Sequence, residues 1–350
     1  MSKILNIFSD KMKQLPDYEK EEDNVYIFSD ELEDAIRVAV FLGKPLLVTG
    51  EPGTGKTKLA YAVVNKIIEA EKKANKKITE DELTTINVFN TKTTSTAKDL
   101  LYTYDHLSHF QHIHKKINAN EINDIDSKFI ETELIKLNAL GEAILSGKRD
   151  VVLIDEIDKA PRDFPNDILD VIENMEFEIP ELKLGKLHPE TKILKQGDPA
   201  KRPILILTSN SEKSLPEAFL RRCVFFHIKL PDETKLKQIL EAKFKHMKDS
   251  HIAKHWDLVV KFFLEKREIL SRKKPATSEL IHWVCVLNDL KFNCEKLKLL
   301  IKNNEKLLIE KEEELKLTDE EKRHLILSFS VLAKNIEDLQ KLEQSINANR

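Results

Sequence analysis

Residues 50–57 carry the most specific chemical signature of the sequence. They are Gly50, Glu51, Pro52, Gly53, Thr54, Gly55, Lys56 and Thr57, which is the G-x-x-x-x-G-K-[ST] spacing of a loop that binds nucleotide phosphates. Backbone N–H groups of such a loop surround the phosphates, and the glycines permit that close approach. Lys56 is expected to reach the β- and γ-phosphates, and the Thr57 hydroxyl is expected to bind Mg²⁺. The alternative is a glycine turn with a chance lysine.

A pair of acidic residues forms the second motif. Asp155 and Glu156 follow the apolar run 151–154. Because parallel sheets place their chemistry at the carboxyl ends of strands, Asp155 is expected beside the Mg²⁺ that Thr57 binds. Glu156 could then polarise a water for attack on the γ-phosphate. The alternative is that the two acids only cap the next helix.

Two further positions complete the candidate site. Asn210 follows the apolar run 203–208, where its amide could hold the attacking water, although asparagine is also common in turns. Arg221 and Arg222 precede another apolar run, 224–228. An arginine there could stabilise transition-state charge at a neighbouring subunit's nucleotide, with Arg222 the better candidate. That role requires an oligomer, whereas surface salt bridges would not.

The elements that must position these residues follow from the apolar pattern. Short buried strands are predicted at 46–49, 85–90, 150–154, 203–208 and 224–228, and helical patterns lie between them. Ser29 is expected to cap a helix that Gly43 ends. Residues 96–146 are predicted to be mostly helical, with a polar middle around residues 118–126. Strands alternating with helices predict the α/β class, with a parallel sheet covered on both faces.

Three regions are predicted along the chain. Residues 1–24 are polar and form an N-terminal arm, residues 25–230 form the nucleotide-binding core, and residues 231–350 form a small all-α domain with C-terminal helices. The last region is helical in pattern throughout, and Lys and Glu dominate its polar positions.

Composition limits the function classes. The 350 residues are 41% hydrophobic and 33% charged with a net charge of −3, so there is no overall electrostatic drive toward nucleic acid or an anionic membrane. No apolar run approaches the roughly 18 residues of a membrane span. The three cysteines form no C-x-x-C pair. A cytoplasmic protein is expected.

A cluster of histidines lies in a predicted helix, at His106, His109, His112 and His114. A solvated helix surface is favoured over a metal site there.

The four motifs, in this order, resemble those of the AAA+ ATPases. The local amino-acid sequence resembles the MoxR branch of that family in five stretches, which are residues 43–57, 99–105, 154–161, 215–223 and 274–280. The resemblance covers about residues 26–290. It implies an αβα nucleotide-binding domain with a helical lid, ATP and Mg²⁺ as ligands, and a hexameric ring with nucleotide between subunits. It also implies chaperone-like remodelling of a protein, often with a partner that carries a von Willebrand factor A domain.

One position departs from the family pattern. Many AAA+ lids carry an arginine at the start of a lid helix that contacts the γ-phosphate, and alignment of residues 275–279 places Glu279 there. A carboxylate would repel the phosphate. One of the neighbouring cations, Arg272, Lys273 or Lys274, could substitute, or the lid could sense nucleotide differently, so no lid residue is assigned to the site.

Three functions are compatible with these features. The leading hypothesis is a Mg²⁺-dependent ATPase that remodels a protein partner. The second is a nucleotide-gated binding switch with slow turnover, motivated by Glu279. The third is a DNA-associated motor of a restriction or defence system, against which the near-neutral charge argues.

Overall fold

The computed structural model describes residues 25–74, 77, 79–118, 134–181, 193–210, 213–245, 250–301 and 316–347. The predicted arm over residues 1–24, and most of the polar stretch around residues 118–126, lie outside these ranges. The chain divides into two compact units. The sheet unit comprises Phe28–Gly50 and Lys56–Ile228. The helical unit comprises the described residues of Met1–Ile27 with Glu51–Gly55 and Lys229–Arg350.

The sheet unit alternates strands and helices. Its elements, in chain order, are α1 (Asp30–Leu42), β1 (Leu46–Gly50), α2 (Lys56–Ala74), β2 (Ile86–Asn90), α3 (Ala97–Leu101), β3 (Tyr102–Tyr104), α4 (His106–Asn118), β4 (Ile135–Leu137), α5 (Ala139–Leu145), β5 (Val151–Asp155), α6 (Phe164–Asp167), α7 (Leu169–Asn174), β6 (Glu176–Glu178), β7 (Ile193–Lys195), β8 (Ile204–Ser209), α8 (Glu217–Leu220) and β9 (Val224–Ile228).

A five-stranded parallel sheet, in the order β2-β5-β8-β1-β9, forms the centre of this unit. All described residues of β1 and β8 are buried, as are the first four residues of β5. Such strands are continuous apolar runs because helices cover both faces of a parallel sheet. The predicted α/β class with a parallel sheet is confirmed. Because β1, β5 and β8 are adjacent, the residues that follow them lie at one edge of the sheet.

Local capping fixes the first helix as predicted. The Ser29 hydroxyl accepts a hydrogen bond from the Leu32 amide at 3.2 Å, and Gly43 ends α1 with φ 61°. A serine cap supplies a partner for one of the unpaired amides of the first turn, and glycine adopts the left-handed conformation without steric cost.

The prediction that residues 96–146 are mostly helical holds for the residues of this range that the structure describes, but two short strands within it were not predicted. The helices α3, α4 and α5 are present, but β3 and β4 pair antiparallel, with Tyr102 opposite Leu137 and Tyr104 opposite Ile135. Tyr102 and Tyr104 are buried while Thr103 is exposed, a two-residue period too short to stand out in sequence. A second hairpin, β6 with β7, was likewise not predicted.

The helical unit has its own apolar core. Its elements are α9 (Glu233–Lys243), α10 (Trp256–Ile269), α11 (Thr277–Asp289), α12 (Asp319–Ser328) and α13 (Ile336–Asn347), with 3₁₀ turns at Ile252–His255 and Cys294–Leu300. The Phe262 ring stacks between Trp283 and Phe329, and all three are fully buried. The Trp283 indole N–H donates to the Ser328 hydroxyl at 2.8 Å, which satisfies its polar atom inside the core.

A membrane-spanning helix must be both long and apolar. None of the described helices is long and apolar enough to cross a membrane.

Candidate functional site

The glycine-rich loop joins β1 to α2, as its sequence predicts. Gly53 and Gly55 have φ values of 81° and 88°, a region that side chains disfavour, so glycine is required at both positions. The Thr54 hydroxyl and amide both donate to the Glu51 carbonyl oxygen, at 2.8 and 3.3 Å, which closes a tight turn. This backbone has the form of a cradle for phosphate groups.

Lys56 opens α2 and is buried in the sheet unit. Its ammonium donates to the Gly50 carbonyl oxygen at 2.8 Å, and the residue is only 7% exposed. Burial lowers the pKa of Lys56, and the carboxylates of Asp155, Asp158 and Glu156 oppose that shift by favouring the charged form. The site therefore holds a buried cation that an anionic ligand would stabilise further.

Thr57 and Asp155 lie together, as predicted from their motifs. The Thr57 hydroxyl donates to the two carboxylate oxygens of Asp155 at 3.1 and 3.2 Å. Both side chains present oxygen atoms, the ligand type that Mg²⁺ prefers. The residues present therefore fit a magnesium ion held by Thr57, Asp155 and the phosphates of a nucleotide.

Thr208 connects the two acidic residues, and the sequence motifs did not single it out. Its hydroxyl donates to Asp155 Oδ1 at 2.5 Å and accepts the Glu156 amide at 2.8 Å. Glu156 has a left-handed backbone, with φ 54° and ψ 50°. Because such strain in a non-glycine residue needs support from its surroundings, Thr208 fixes the direction in which Glu156 leaves β5.

The Glu156 carboxylate contacts two donors. The Asn210 amide nitrogen lies 3.1 Å from Oε1, and the Lys159 ammonium pairs with Oε2. Asn210 and Glu156 are therefore brought together, as their positions at the ends of β8 and β5 predict. Lys159 is a second residue that motif reasoning did not single out. Its position three residues after Glu156 in a 3₁₀ turn is the signal that could have identified it.

The two arginines pair with glutamates of nearby helices. Arg222 forms an ion pair with Glu173 and also donates to the Ala218 carbonyl oxygen at 3.1 Å. Arg221 is 76% exposed and lies 3.6 Å from Glu217. Arg222 is therefore the better ordered of the two, while Arg221 projects into solvent.

Glu279, in the helical unit, caps its own helix. Its carboxylate accepts the Ala276 amide at 3.0 Å and the Ser278 hydroxyl at 2.9 Å at the start of α11. The neighbouring cations are paired nearby: Arg272 lies 3.7 Å from Glu337, and Lys274 lies 2.7 Å from Glu268. The carboxylate at position 279 thus has a local structural role.

The histidine cluster lies on α4, as the predicted helix requires. His109 Nδ1 lies 2.6 Å from the Tyr104 hydroxyl, and His114 makes an edge contact with Phe110 at 4.3 Å. Over the described ranges of the chain, no group of three or more His, Cys, Asp or Glu side chains is arranged to hold a metal ion.

A family model matches residues 45–223, which is just over half of the chain. It is described as an AAA domain of the dynein-related subfamily. The match begins immediately before β1 and ends immediately before β9, so it includes the loop, the two acids, Asn210 and both arginines. A comparison with curated proteins gives no match.

Solved structures give distant similarities. Domain III of the replication initiation protein DnaA from Thermotoga maritima is 14% identical, with a TM-score of 0.41, over 92% of this chain and 99% of that one. Two single-substitution variants of Thermotoga maritima RuvB are 15% and 16% identical, each with a TM-score of 0.39. The first match covers 76% of this chain and 66% of the RuvB chain. The second covers 85% of this chain and 73% of the RuvB chain.

Proposed function

This chain belongs to the AAA domain family, in its dynein-related subfamily, and from that premise we propose that it hydrolyses ATP to ADP and phosphate. The observation that carries the proposal is the convergence of Thr57, Asp155, Glu156 and Asn210, linked through Thr208, in the unit that holds Lys56. Binding alone would need the loop and Lys56. The directed Glu156 carboxylate is what hydrolysis requires in addition.

Each side chain has a distinct task in this proposal. The loop amides and Lys56 bind the phosphates, and Asn210 orients the attacking water. Glu156 accepts a proton from that water while the water oxygen forms a bond to the γ-phosphorus. The bond between the γ-phosphorus and the oxygen that bridges it to the β-phosphorus breaks, and ADP leaves. Thr57 and Asp155 would hold Mg²⁺, which neutralises phosphate charge when it is bound.

Glu156→Gln is the direct test. The substitution keeps the shape of the side chain but removes its ability to accept a proton, so ATP turnover should fall by at least about a hundredfold. ATP affinity, measured by equilibrium titration, should remain close to wild type because Glu156 does not hold the phosphates.

The matched control is Glu69→Gln, at an exposed glutamate of α2. It should retain wild-type turnover. Normal hydrolysis by Glu156→Gln would contradict the role assigned to Glu156.

The finer identity is also a proposal. The stretches that resemble the MoxR branch support a chaperone-like remodeller that assembles as a hexameric ring and acts with a von Willebrand factor A domain partner in the cytoplasm. Arg222 would then complete the site of an adjacent subunit. Co-purification with a candidate partner of that class, dependent on ATP, tests the partner assignment.

A slow-turnover binding switch is the second candidate. The ion pair between Lys159 and Glu156 favours it, because a carboxylate that contacts an ammonium is less available to accept a proton. Turnover measured with and without the partner separates the two. Negligible hydrolysis in both states supports the switch, and stimulation by the partner supports the remodeller.

A further inference from the structure

Arg267, near the end of α10, binds part of the glycine-rich loop. The part concerned is Glu51–Gly55, called the loop segment below, which belongs to the helical unit like Arg267 itself. Its Nη2 lies 2.5 Å from the Glu51 carboxylate, and its Nε donates to the Pro275 carbonyl oxygen at 2.9 Å. The Arg267 side chain is only 11% exposed. Glu268 lies 3.7 Å from the same guanidinium, whereas the Glu51 carboxylate is half exposed. The buried guanidinium is therefore held by several acceptors and orients its more exposed partner, Glu51.

A second contact ties the same segment to α11. The Ser278 amide donates to the Gly53 carbonyl oxygen at 3.1 Å. A methyl group added at Gly53 would collide with the Ser278 hydroxyl and lie 2.9 Å from the Glu279 carboxylate, so α11 side chains occupy the space next to this glycine. Two residues of the loop segment are thus fixed by the helical unit: Arg267 pairs with Glu51, and Ser278 donates to Gly53.

We propose that Arg267 is a positioning residue for nucleotide binding. Through Glu51 it holds the loop segment in its phosphate-ready conformation, although the arginine itself does not contact the nucleotide. This inference rests on the proposed function, since it concerns the same loop and the same ligand.

Preorganisation supplies the physical reason. A loop with two glycines loses much conformational entropy when it is ordered, and that cost reduces the affinity for any ligand that must order it. The pair between Arg267 and Glu51, with the Ser278 contact, orders the segment before nucleotide arrives. Because coupling is reciprocal, bound nucleotide must in turn strengthen the Arg267–Glu51 pair.

The test compares Arg267→Gln, Glu51→Gln and the double variant by titration with ATP and Mg²⁺ and by steady-state kinetics. Each single substitution should weaken ATP binding about tenfold, and the double variant should bind no more weakly than either single one. The KM should rise while kcat stays near wild type, because the chemical groups are untouched.

Arg272→Gln is the matched control, since this arginine is 70% exposed and pairs with Glu337 at 3.7 Å. Its affinity should equal that of wild type. Melting temperatures without nucleotide identify any variant that fails to fold. Glu51→Gln should disturb folding less than Arg267→Gln, because the Glu51 side chain is half exposed.

Two failures are distinguishable. If wild type binds and hydrolyses ATP but both Arg267→Gln and Glu51→Gln match its affinity, or if their effects simply add, the positioning role is overturned while the ATPase proposal stands. If wild type itself binds no ATP, the proposed function is overturned, and with it this inference.

Discussion

Thr208 joins the acidic residues of the site into one hydrogen-bonded group. Its hydroxyl serves as donor to Asp155 and as acceptor for the amide of Glu156. Both functions depend on the same oxygen atom, so valine, which has nearly the same shape, removes them together. The strained backbone of Glu156 would then lose its support, and its amide would lack this partner.

We therefore expect Thr208→Val to lower kcat about tenfold, which corresponds to roughly 1.4 kcal/mol and lies within the cost of leaving one buried polar group unsatisfied. ATP affinity should change less, because Thr208 does not belong to the loop. Thr234→Val, at an exposed threonine of α9, is the control and should retain wild-type kinetics. Unchanged kcat in Thr208→Val would show that the hydroxyl is dispensable for the geometry of Glu156.

At the scale of elements, Asp338 connects α13 to the segment that follows α10. The carboxylate is buried and accepts hydrogen bonds from the Ser271 amide and hydroxyl at 3.3 and 3.1 Å and from the Asn335 amide at 2.7 Å. Burial alone would raise the pKa of Asp338, but the hydrogen bonds from Asn335 and Ser271 outweigh it, so the net shift is downward from 3.8.

A lowered pKa in the folded state fixes the sign of the pH dependence. The stabilisation by Asp338 is complete above the unfolded-state value near 3.8 and is lost as pH falls through the lower folded-state value. Asp338→Asn should thus lower the melting temperature at pH 7, and its difference from wild type should shrink below pH 4. Asp289→Asn, at an exposed carboxylate, should show no such pH-dependent difference. A constant deficit for Asp338→Asn at all pH values would contradict this assignment.

At the scale of the whole molecule, the hypothesis that Arg222 acts at a neighbouring subunit's nucleotide requires a second subunit. Within one chain, Arg222 pairs with Glu173, and both side chains are nearly half exposed. A pair this exposed contributes little to stability, so an adjacent subunit's phosphate could compete for the arginine. We therefore expect Arg222 to reach the site of an adjacent subunit.

Mixing two inactive variants tests that expectation. Lys56→Ala should lose nucleotide binding, and Arg222→Ala should lose turnover. If the arginine acts on a neighbouring subunit, a mixture of the two should recover part of the activity, because some sites combine an intact loop with an intact arginine. Sizing chromatography with ATP and Mg²⁺ should show a larger species than without them. An inactive mixture that still forms the larger species would contradict the action of Arg222 on a neighbouring subunit.

Local physical rules explain what the sequence could predict. The glycine-rich loop, the Ser29 and Gly43 caps of α1 and the apolar runs of β1, β5 and β8 each depend on a few consecutive residues. Their spacing alone therefore indicates a parallel sheet with Lys56, Thr57, Asp155 and Asn210 near its carboxyl edge. The β3–β4 hairpin escaped prediction because three-residue strands show too few alternations and pair across more than 30 positions.

The sequence by itself determined the kind of site, because a phosphate loop followed by two acids after a buried strand specifies its chemistry through residue type and spacing. Only the tertiary structure decided how that site is supported. Thr208 is 52 positions from Glu156, and Arg267 is 216 positions from Glu51. No local pattern marks a hydroxyl or a guanidinium whose partner lies so far along the chain, since those contacts exist only once the strands and helices have packed.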